Sequence, residues 1–177
     1  MHALRTARLI LDAPREDDVD AVLDACTDPE TQRGVPVPSP YTRADAEYFV
    51  RSYCPHGELS GRYLVWALRT APGEPLLGTV EVRRDQTAGA ASLGCWLRPS
   101  ARGHGYMREA VRVVIGYALD PAGLACTELR WDCLPGNLRS RRLGEAVGFA
   151  FDAGEHRTLP FRGESRDTLS GVLRAAS

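Results

Sequence analysis

The chain has 177 residues, with 22 Lys and Arg against 23 Asp and Glu and a formal net charge of −1. Charge this balanced argues against a dedicated nucleic-acid-binding protein. The sequence has no apolar run of membrane-spanning length and no signal-peptide segment at its start. We therefore expect one cytoplasmic domain over residues 1–177, with no membrane or nucleic-acid partner.

The five cysteines lie at positions 26, 54, 95, 126 and 133, an odd number without a Cys-x-x-Cys pair. This spacing fits neither a disulfide scaffold nor a zinc cluster. The histidines also show no metal-ligand spacing. The sequence thus predicts reduced, mostly buried thiols and no metal.

The first part of the chain predicts two helices separated by a loop. A helical period of apolar residues covers 15–26, and Thr42-x-x-Asp45 resembles the capping box of a second helix. Pro55 and Gly57 predict the end of that helix. In chain order we expect a strand, a helix, a Pro- and Gly-rich loop, a helix and a break, at residues 8–11, 15–26, 28–41, 42–53 and 54–57.

The second part alternates strands with two helices, which start after Gly105 and at Asn137. A strand–helix–strand order over 91–133 implies a parallel strand pair inside an otherwise antiparallel sheet. We therefore expect a mixed α/β (α+β) fold with a mostly antiparallel sheet flanked by helices, its fourth and fifth strands parallel. The strands of this part are predicted at 63–69, 76–84, 91–97, 128–133, 149–159 and 167–173.

The most informative segment is ARGHGYMREA at 101–110, where two glycines stand between a predicted strand and a predicted helix. Such a loop exposes backbone N–H groups at the positive end of the helix dipole and binds phosphate or pyrophosphate. A P-loop would need Lys and Ser or Thr where Tyr106 and Met107 stand. A dinucleotide-binding fingerprint would need glycine where Arg108 stands. Its ribose-binding acid would have to be Asp132, which lies too far along the chain from the glycines. The remaining alternative is the pyrophosphate loop of acyl-CoA-dependent N-acyltransferases.

Two motifs carry a family resemblance. The first is Arg102-Gly103-His104-Gly105-Tyr106 with Glu109-Ala110 behind it, and the second is Asn137-x-x-Ser140 followed by Leu143 and Gly148-Phe149. Both resemble the GCN5-related N-acetyltransferase (GNAT) family. The opening at 6–11, with Asp17-Asp18, and the closing segment at 163–167 resemble its branch of ribosomal-protein-alanine N-acetyltransferases. Ser100 stands where the family's loop often has Gln or Arg.

The resemblance implies an acetyl-CoA-dependent N-acetyltransferase in which an amine attacks the thioester directly in a ternary complex. It implies that the parallel strands splay at the CoA site, where a bulged fourth strand offers the main chain of 95–97 as oxyanion donor. A homodimer is a further implication. The implied CoA-binding residues are Trp96, Leu97, Arg102, Gly103, His104, Gly105, Tyr106, Met107, Asn137 and Ser140.

Ser140 and Glu81 are the candidate catalytic residues. Ser140 stands at the family's serine position and could protonate the leaving thiolate, or it could only help to cap its helix. Glu81 lies mid-strand between two valines. It would suit a general base if its face borders the cleft, or it could be a carboxylate on a solvent-facing sheet. Asp132 is a weaker candidate for orienting the amine.

Other residues have a functional and a structural interpretation. Asn137 could bind the pantetheine arm or cap its helix, and the arginines at 139, 141 and 142 could reach a CoA phosphate or form a solvated face. Cys95 and Cys133 could carry an acetyl group, although we favour packing. The substrate walls are expected at 28–41 and in the final hairpin. Acids there that could attract a cationic amine are Glu30, Glu155 and Glu164.

The substrate stays open between a protein N-terminus and a small amine. The alternative function is a CoA-binding regulatory or sensor protein with little turnover, because no base is certain and Ser100 departs from the loop pattern. A nucleotide-dependent oxidoreductase is a second alternative, which Arg108 in place of the third glycine weakens.

Overall fold

The computed structural model describes residues 2–151 and 156–175. The strands are β1 (Leu4–Arg5), β2 (Ile10–Asp12), β3 (Tyr63–Arg69), β4 (Gly78–Arg84), β5 (Ala90–Leu97), β6 (Glu128–Cys133), β7 (His156–Phe161) and β8 (Glu164–Arg174). They form one eight-stranded sheet in the order β1-β2-β3-β4-β5-β6-β8-β7. Every neighbouring pair is antiparallel except β5 and β6. The predicted fold class is confirmed. The predicted fourth and fifth strands are β5 and β6 here, because the sheet begins with the additional strand β1.

In the part of the chain that the structure describes, six α-helices flank this sheet. They are α1 (Val19–Thr27), α2 (Pro29–Gly34), α3 (Arg43–Tyr48), α4 (Cys54–Ser60), α5 (Tyr106–Leu119) and α6 (Leu138–Ala146). Within the described ranges, no helix combines the length and the apolar character that a membrane crossing requires.

The sheet has a helix layer on each face, and strand alternation decides which side chains meet which layer. On one face, called the α5 face, Val80 and Val82 are buried in the main core against α5. On the opposite face, called the α1 face, Ala67 packs into a second cluster with α1 and α3. Glu81, between the two valines, therefore belongs to the α1 face.

The predicted helix break at 54–57 is wrong, because the chain stays helical from α3 through α4. A π-helical turn, Phe49–Tyr53, joins the two helices, and the N–H of Cys54 donates to the carbonyl of Phe49. Pro55 lies in the first turn of α4, directly after the π-helical turn, and its missing N–H removes one bond of the helix at this junction without ending it. Gly57 is required by packing, since a Cβ there would lie 2.1 Å from the ring of Tyr63.

The predicted loop at 28–41 also contains a helix, α2. Asp28 caps it by accepting the N–H of Thr31 at 2.9 Å, and Pro29 occupies its first turn. A capping aspartate followed by proline was a readable start signal that the high Pro and Gly content of the segment obscured.

A buried ion pair joins β3 to the chain ahead of α1. Arg69 is fully buried and donates from two nitrogens to the two carboxylate oxygens of Asp18, both at 2.6 Å. Its Nε also donates to Asp12 at 2.8 Å. Asp18 accepts backbone N–H groups of Arg15 and Leu76 as well, so this carboxylate links three segments.

Candidate functional site

A gap opens between β5 and β6 because the two strands pair only at their starts. Their parallel register runs from Ala90–Glu128 to Ser92–Arg130, after which β5 continues to Leu97 with no partner on that side among the described residues. Against β4, by contrast, the register of β5 is continuous over seven pairs. The bulge that the resemblance implied is therefore absent from the β4–β5 ladder, and the opening comes from divergence alone.

The register also fixes which N–H groups of β5 face this gap. The N–H of Arg98 donates to the carbonyl of Leu77 at 2.8 Å, which makes the pair of Gly78 and Leu97 a non-hydrogen-bonded one. The alternation of the ladder then directs the N–H groups of Leu97 and Cys95 away from β4 and into the gap. That of Trp96 faces β4, so of the predicted donor segment 95–97 the N–H groups of Cys95 and Leu97 are the ones that face the gap.

The loop between β5 and α5 depends on left-handed glycines. Gly103 has φ 82° and Gly105 has φ 78°, which is unfavourable for any residue with a Cβ. A Cβ at Gly103 would meet nothing within 4 Å, and one at Gly105 would meet only Arg8, at 3.7 Å. The space over the loop is thus open to a ligand.

The N-terminus of α5 opens into the same space. The first intrahelical bond runs from the N–H of Glu109 to the carbonyl of Gly105 at 3.2 Å. The N–H groups of Tyr106, Met107 and Arg108 precede it and have no partner within the helix, and no side chain caps α5. The side chain of Met107 is buried in the core, so only its main chain is available.

Thr6 and Arg8, from the segment before β2, brace this loop. Arg8 donates to Glu109 at 2.7 Å and to the carbonyl of His104 at 3.1 Å, while Thr6 donates to Glu109. The Thr6 hydroxyl and then Arg8 hold the pKa of Glu109 below its usual value. His104 stacks on Tyr106 with ring centroids 5.5 Å apart. A groove of about 540 Å³ runs along this braced side of the loop.

The side chain of Arg102 is bound within the protein. It donates to Asp28 at 2.6 Å, to Glu30 at 3.1 Å and to the carbonyl of Leu97 at 3.3 Å. Arg102 therefore ties the loop to the start of α2, and its backbone is the part that remains for a ligand.

Asn137 and Ser140 both have structural partners at the start of α6. Asn137 is the N-cap, and its side chain accepts the N–H of Ser140 at 3.1 Å. The Ser140 hydroxyl accepts the indole N–H of Trp131 at 2.9 Å. The capping interpretation thus fits Asn137, whereas the hydroxyl of Ser140 is hydrogen-bonded to Trp131 of β6.

A polar cavity of about 840 Å³ lies beyond the C-terminal end of β6, between α2, α6 and β8. Its lining includes Asn137, Glu30 and Arg166. Glu30 is paired with Arg102 and Arg139, and Glu164 with Arg166. Glu155 lies outside the described residues. The cavity adjoins the two segments that the sequence suggested as substrate walls.

Glu81 lies on the α1 face with two partners. The Tyr53 hydroxyl donates to its carboxylate oxygens at 3.0 and 3.1 Å, and Arg83 donates at 2.8 Å. Burial, followed by the charge of Glu81, raises the pKa of Tyr53, so the phenol stays protonated at neutral pH and donates a hydrogen bond to Glu81. Glu81 is 18% exposed, so it is neither sealed in the core nor a freely solvated carboxylate.

Asp132 lies on the same face, on β6. It accepts a hydrogen bond from Ser170 at 2.5 Å and lies 4.0 Å from Nε of Arg157. The Nη1 atom of Arg157 is buried without a hydrogen-bond partner, and no contact of the described residues accounts for it.

The family model described as acetyltransferase (GNAT) domain matches residues 8–150. The chain belongs to the GNAT acetyltransferase family. The match begins at the bracing residue Arg8 and includes β2 to β6, the glycine loop and α6, so it contains the whole gap just described.

Solved GNAT structures share the fold at low identity. A Vibrio cholerae protein assigned as a ribosomal-protein-serine acetyltransferase has a TM-score of 0.85 and 20% identity over 98% of both chains. A Salmonella typhimurium enzyme that modifies the N-terminal serine of ribosomal protein L7/L12 has a TM-score of 0.78 and 15% identity over 97% of both chains. The microcin C7 self-immunity acetyltransferase MccE, in complex with acetyl-CoA and AMP, has a TM-score of 0.80 and 15% identity. The match covers 96% of this chain and 94% of the MccE chain.

The thiols of this GNAT protein are poor nucleophiles at neutral pH. Burial raises the pKa of Cys95 to about 12 and also raises that of Cys133. Reactive cysteines have lowered pKa values instead, so the environment of both thiols favours packing over an acetyl-cysteine. Among the described residues, no cluster of three or more His, Cys, Asp or Glu side chains could hold a metal ion.

Proposed function

We propose that this protein is an acetyl-CoA-dependent N-acetyltransferase that moves the acetyl group to a primary amine by direct attack in a ternary complex. One observation carries the proposal: the gap between β5 and β6, which the N–H groups of Cys95 and Leu97 face, leads to the uncapped N-terminus of α5. A thioester and a pyrophosphate need these two environments side by side. The acetyl-CoA complex of the structural neighbour MccE supports the choice of donor.

The glycine loop and the first turn of α5 would bind the pyrophosphate through main-chain N–H groups and the helix dipole. The thioester would then lie in the gap, where Cys95 or Leu97 donates to its carbonyl oxygen. The hydrogen bonds from these N–H groups become stronger as negative charge develops on the carbonyl oxygen during attack. Asn137 lines the polar cavity, which supports its proposed contact with the pantetheine arm.

The reaction forms a nitrogen–carbon bond and breaks the carbon–sulfur bond of the thioester. The attacking amine must be neutral, and the proton that it loses goes to Glu81, directly or through water. CoA leaves as a thiolate, to which the Ser140 hydroxyl donates a hydrogen bond, and the thiolate takes its proton from water. The Tyr53 phenol stays protonated and holds Glu81 in place.

The decisive experiment is acetyl-CoA consumption, followed by released thiol, against N-terminal peptides, polyamines, amino acids and aminoglycosides. Turnover with a peptide would assign a protein N-terminus, the substrate type of the Salmonella neighbour. Turnover with a small amine would assign metabolite or drug modification. Binding of acetyl-CoA without turnover of any amine would contradict the proposal and favour the sensor alternative.

A cytoplasmic location goes with this proposal. All five cysteines are free, and free thiols are usual in a reducing compartment.

Glu81→Gln should lower kcat by about 100-fold, the low end of the range for general acid–base groups, and leave the KM for acetyl-CoA unchanged. The amide keeps the size and the Tyr53 contact but cannot accept the proton. The measurement is kcat against pH with the best amine of the panel. Tyr53→Phe is the matched control, since it removes the positioning bond and keeps the carboxylate. An unchanged kcat in Glu81→Gln would assign Glu81 to structure alone.

Ser140→Ala should lower turnover about tenfold, the effect of losing one hydrogen bond of roughly 1.4 kcal/mol to the leaving thiolate, with little change in CoA affinity. It also removes the acceptor of the buried Trp131 N–H, which costs about 1–3 kcal/mol of stability. Trp131→Phe breaks the same bond and keeps the hydroxyl. Comparing kcat and the free energy of unfolding of both variants separates the two roles. Equal turnover losses in both would make Ser140 a support for Trp131 only.

A further inference from the structure

Gly94 is exposed although it lies in β5, an interior strand of the sheet. Its φ lies outside the left-handed region, and a Cβ there would meet no atom within 4 Å. Neither its backbone nor its surroundings therefore require glycine. Glycine inside a strand weakens it and often marks a place where another molecule comes close.

The neighbours of Gly94 across the sheet are two carboxylates. Glu81 is its direct partner on β4 and shares the α1 face. On the other side, the register of Ser92 with Arg130, extended by two residues across the gap, puts Asp132 opposite Gly94 on the same face. Gly94 thus forms the floor of a notch with one carboxylate on each side.

The notch adjoins the place where the thioester would lie. The N–H of Cys95, the next residue of β5, faces the gap. The carboxylates of Glu81 and Asp132 are 18% and 19% exposed, so they border open space while keeping their partners. Each carboxylate has an arginine beside it, Arg83 at 2.8 Å from Glu81 and Arg157 at 4.0 Å from Asp132, so the notch offers an arriving amine hydrogen-bond acceptors on both sides without a large net charge.

We propose that the acceptor amine reaches the thioester across Gly94, between Glu81 and Asp132. The missing side chain makes Gly94 the residue that selects the acceptor: a primary amine at the end of a narrow, unbranched group, such as a peptide that begins with a small residue or an ω-amine. This inference rests on the proposed function and names the substrate class of that same site. As the amine arrives, it loses its proton to Glu81 or water before the nitrogen–carbon bond forms.

The test compares Gly94→Ala and Gly94→Val with the wild type in acceptor kinetics, CoA affinity by calorimetry and thermal unfolding. We expect stability at or above wild type and unchanged CoA affinity, because nothing occupies the space of the new side chain. The kcat/KM for the acceptor should fall roughly tenfold for Ala and about 100-fold for Val, since misplacing a reactant by an ångström has effects of this size. Gly116→Ala is the matched control: it lies on the exposed side of α5 with equally open space, and its kinetics should match the wild type.

The outcomes separate the inference from the proposed function. Wild-type acceptor kinetics in Gly94→Val, with the wild type active, would overturn the inference and leave the acetyltransferase proposal standing. Loss of CoA binding or of stability in Gly94→Ala would also overturn it, because glycine would then serve packing. A wild type that turns over no amine would contradict the proposed function itself, and the inference with it. A larger loss for branched than for unbranched acceptors would support the selective role directly.

Discussion

Gly105→Val should lower the affinity for CoA by about 1,000-fold. Gly105 has φ 78°, and a β-branched residue would rotate the backbone out of this conformation and fill the space above the loop. Hydrogen bonds to a charged group contribute about 1.5–3 kcal/mol each, so misdirecting two N–H groups accounts for a loss of this size. The measurement is CoA affinity by calorimetry.

Gly73→Val is the matched control for this substitution. Gly73 has φ 84°, a Cβ there would also meet nothing within 4 Å, and it lies in the turn between β3 and β4. Both variants should lose about 1–2 kcal/mol of stability from the left-handed backbone, but only Gly105→Val should lose CoA affinity. Equal affinities in the two variants would overturn the assignment of the loop.

The phosphate-type loop could be predicted from sequence because its signal is local. Two glycines, a strand before them and an amphipathic helix behind them all lie within a short stretch of chain. The brace could not be predicted, since Arg8 and Glu109 are 101 positions apart. In the sequence Glu109 is only part of the loop motif, and its partners are visible only in the fold. For the same reason the sequence did not show that the Arg102 side chain is already bound.

The choice between Trp96 and Cys95 as donor depends on the register. A shift of one residue reverses the side to which every N–H of a strand points. The sequence located the strand but not its pairing with β4, so the predicted contacts included Trp96. The bond between Arg98 and the carbonyl of Leu77 is what settles the direction.

The wrong helix break shows the limit of residue-type signals. Proline and glycine at 55 and 57 normally predict a break, and here tertiary contacts reverse that preference. The ring of Tyr63 needs the space that Gly57 leaves, and the π-helical turn before Pro55 keeps the chain helical. This turn carries Tyr53, the partner of Glu81, so the feature that the sequence missed also shapes the candidate site.

Arg69→Met should destabilise the fold by about 3–5 kcal/mol, because it leaves the buried carboxylate of Asp18 without its cation. Methionine roughly fills the space of the arginine stem, so most of this loss is electrostatic. The measurement is urea unfolding at neutral pH. Arg98→Met is the matched surface control, since its pair with Asp24 is partly exposed and should contribute about 1 kcal/mol or less.

The double variant Arg69→Met with Asp18→Asn should recover part of that stability, because it removes the unpaired charge and keeps an acceptor for the N–H of Leu76. If the double variant is no more stable than Arg69→Met alone, the loss comes from packing and the electrostatic account is wrong.

The same pair gives the stability a pH dependence of known sign. Burial raises the pKa of Asp18, but the hydrogen bonds from Arg69 and the backbone outweigh it and hold the pKa below its usual value. A carboxyl with a lowered folded-state pKa stabilises the fold above its unfolded pKa of about 3.9, and this contribution disappears as the pH falls through the folded value. When the pH is lowered below about 4, the Asp18→Asn variant should therefore lose less of its free energy of unfolding than the wild type loses. In Arg69→Met the guanidinium is lost while burial and the two backbone hydrogen bonds remain, so the pKa of Asp18 should be higher than in the wild type, and the stability deficit of the variant should shrink on acidification. Urea unfolding of the three proteins across this pH range measures both differences, and parallel curves would show that Asp18 and Arg69 are not coupled.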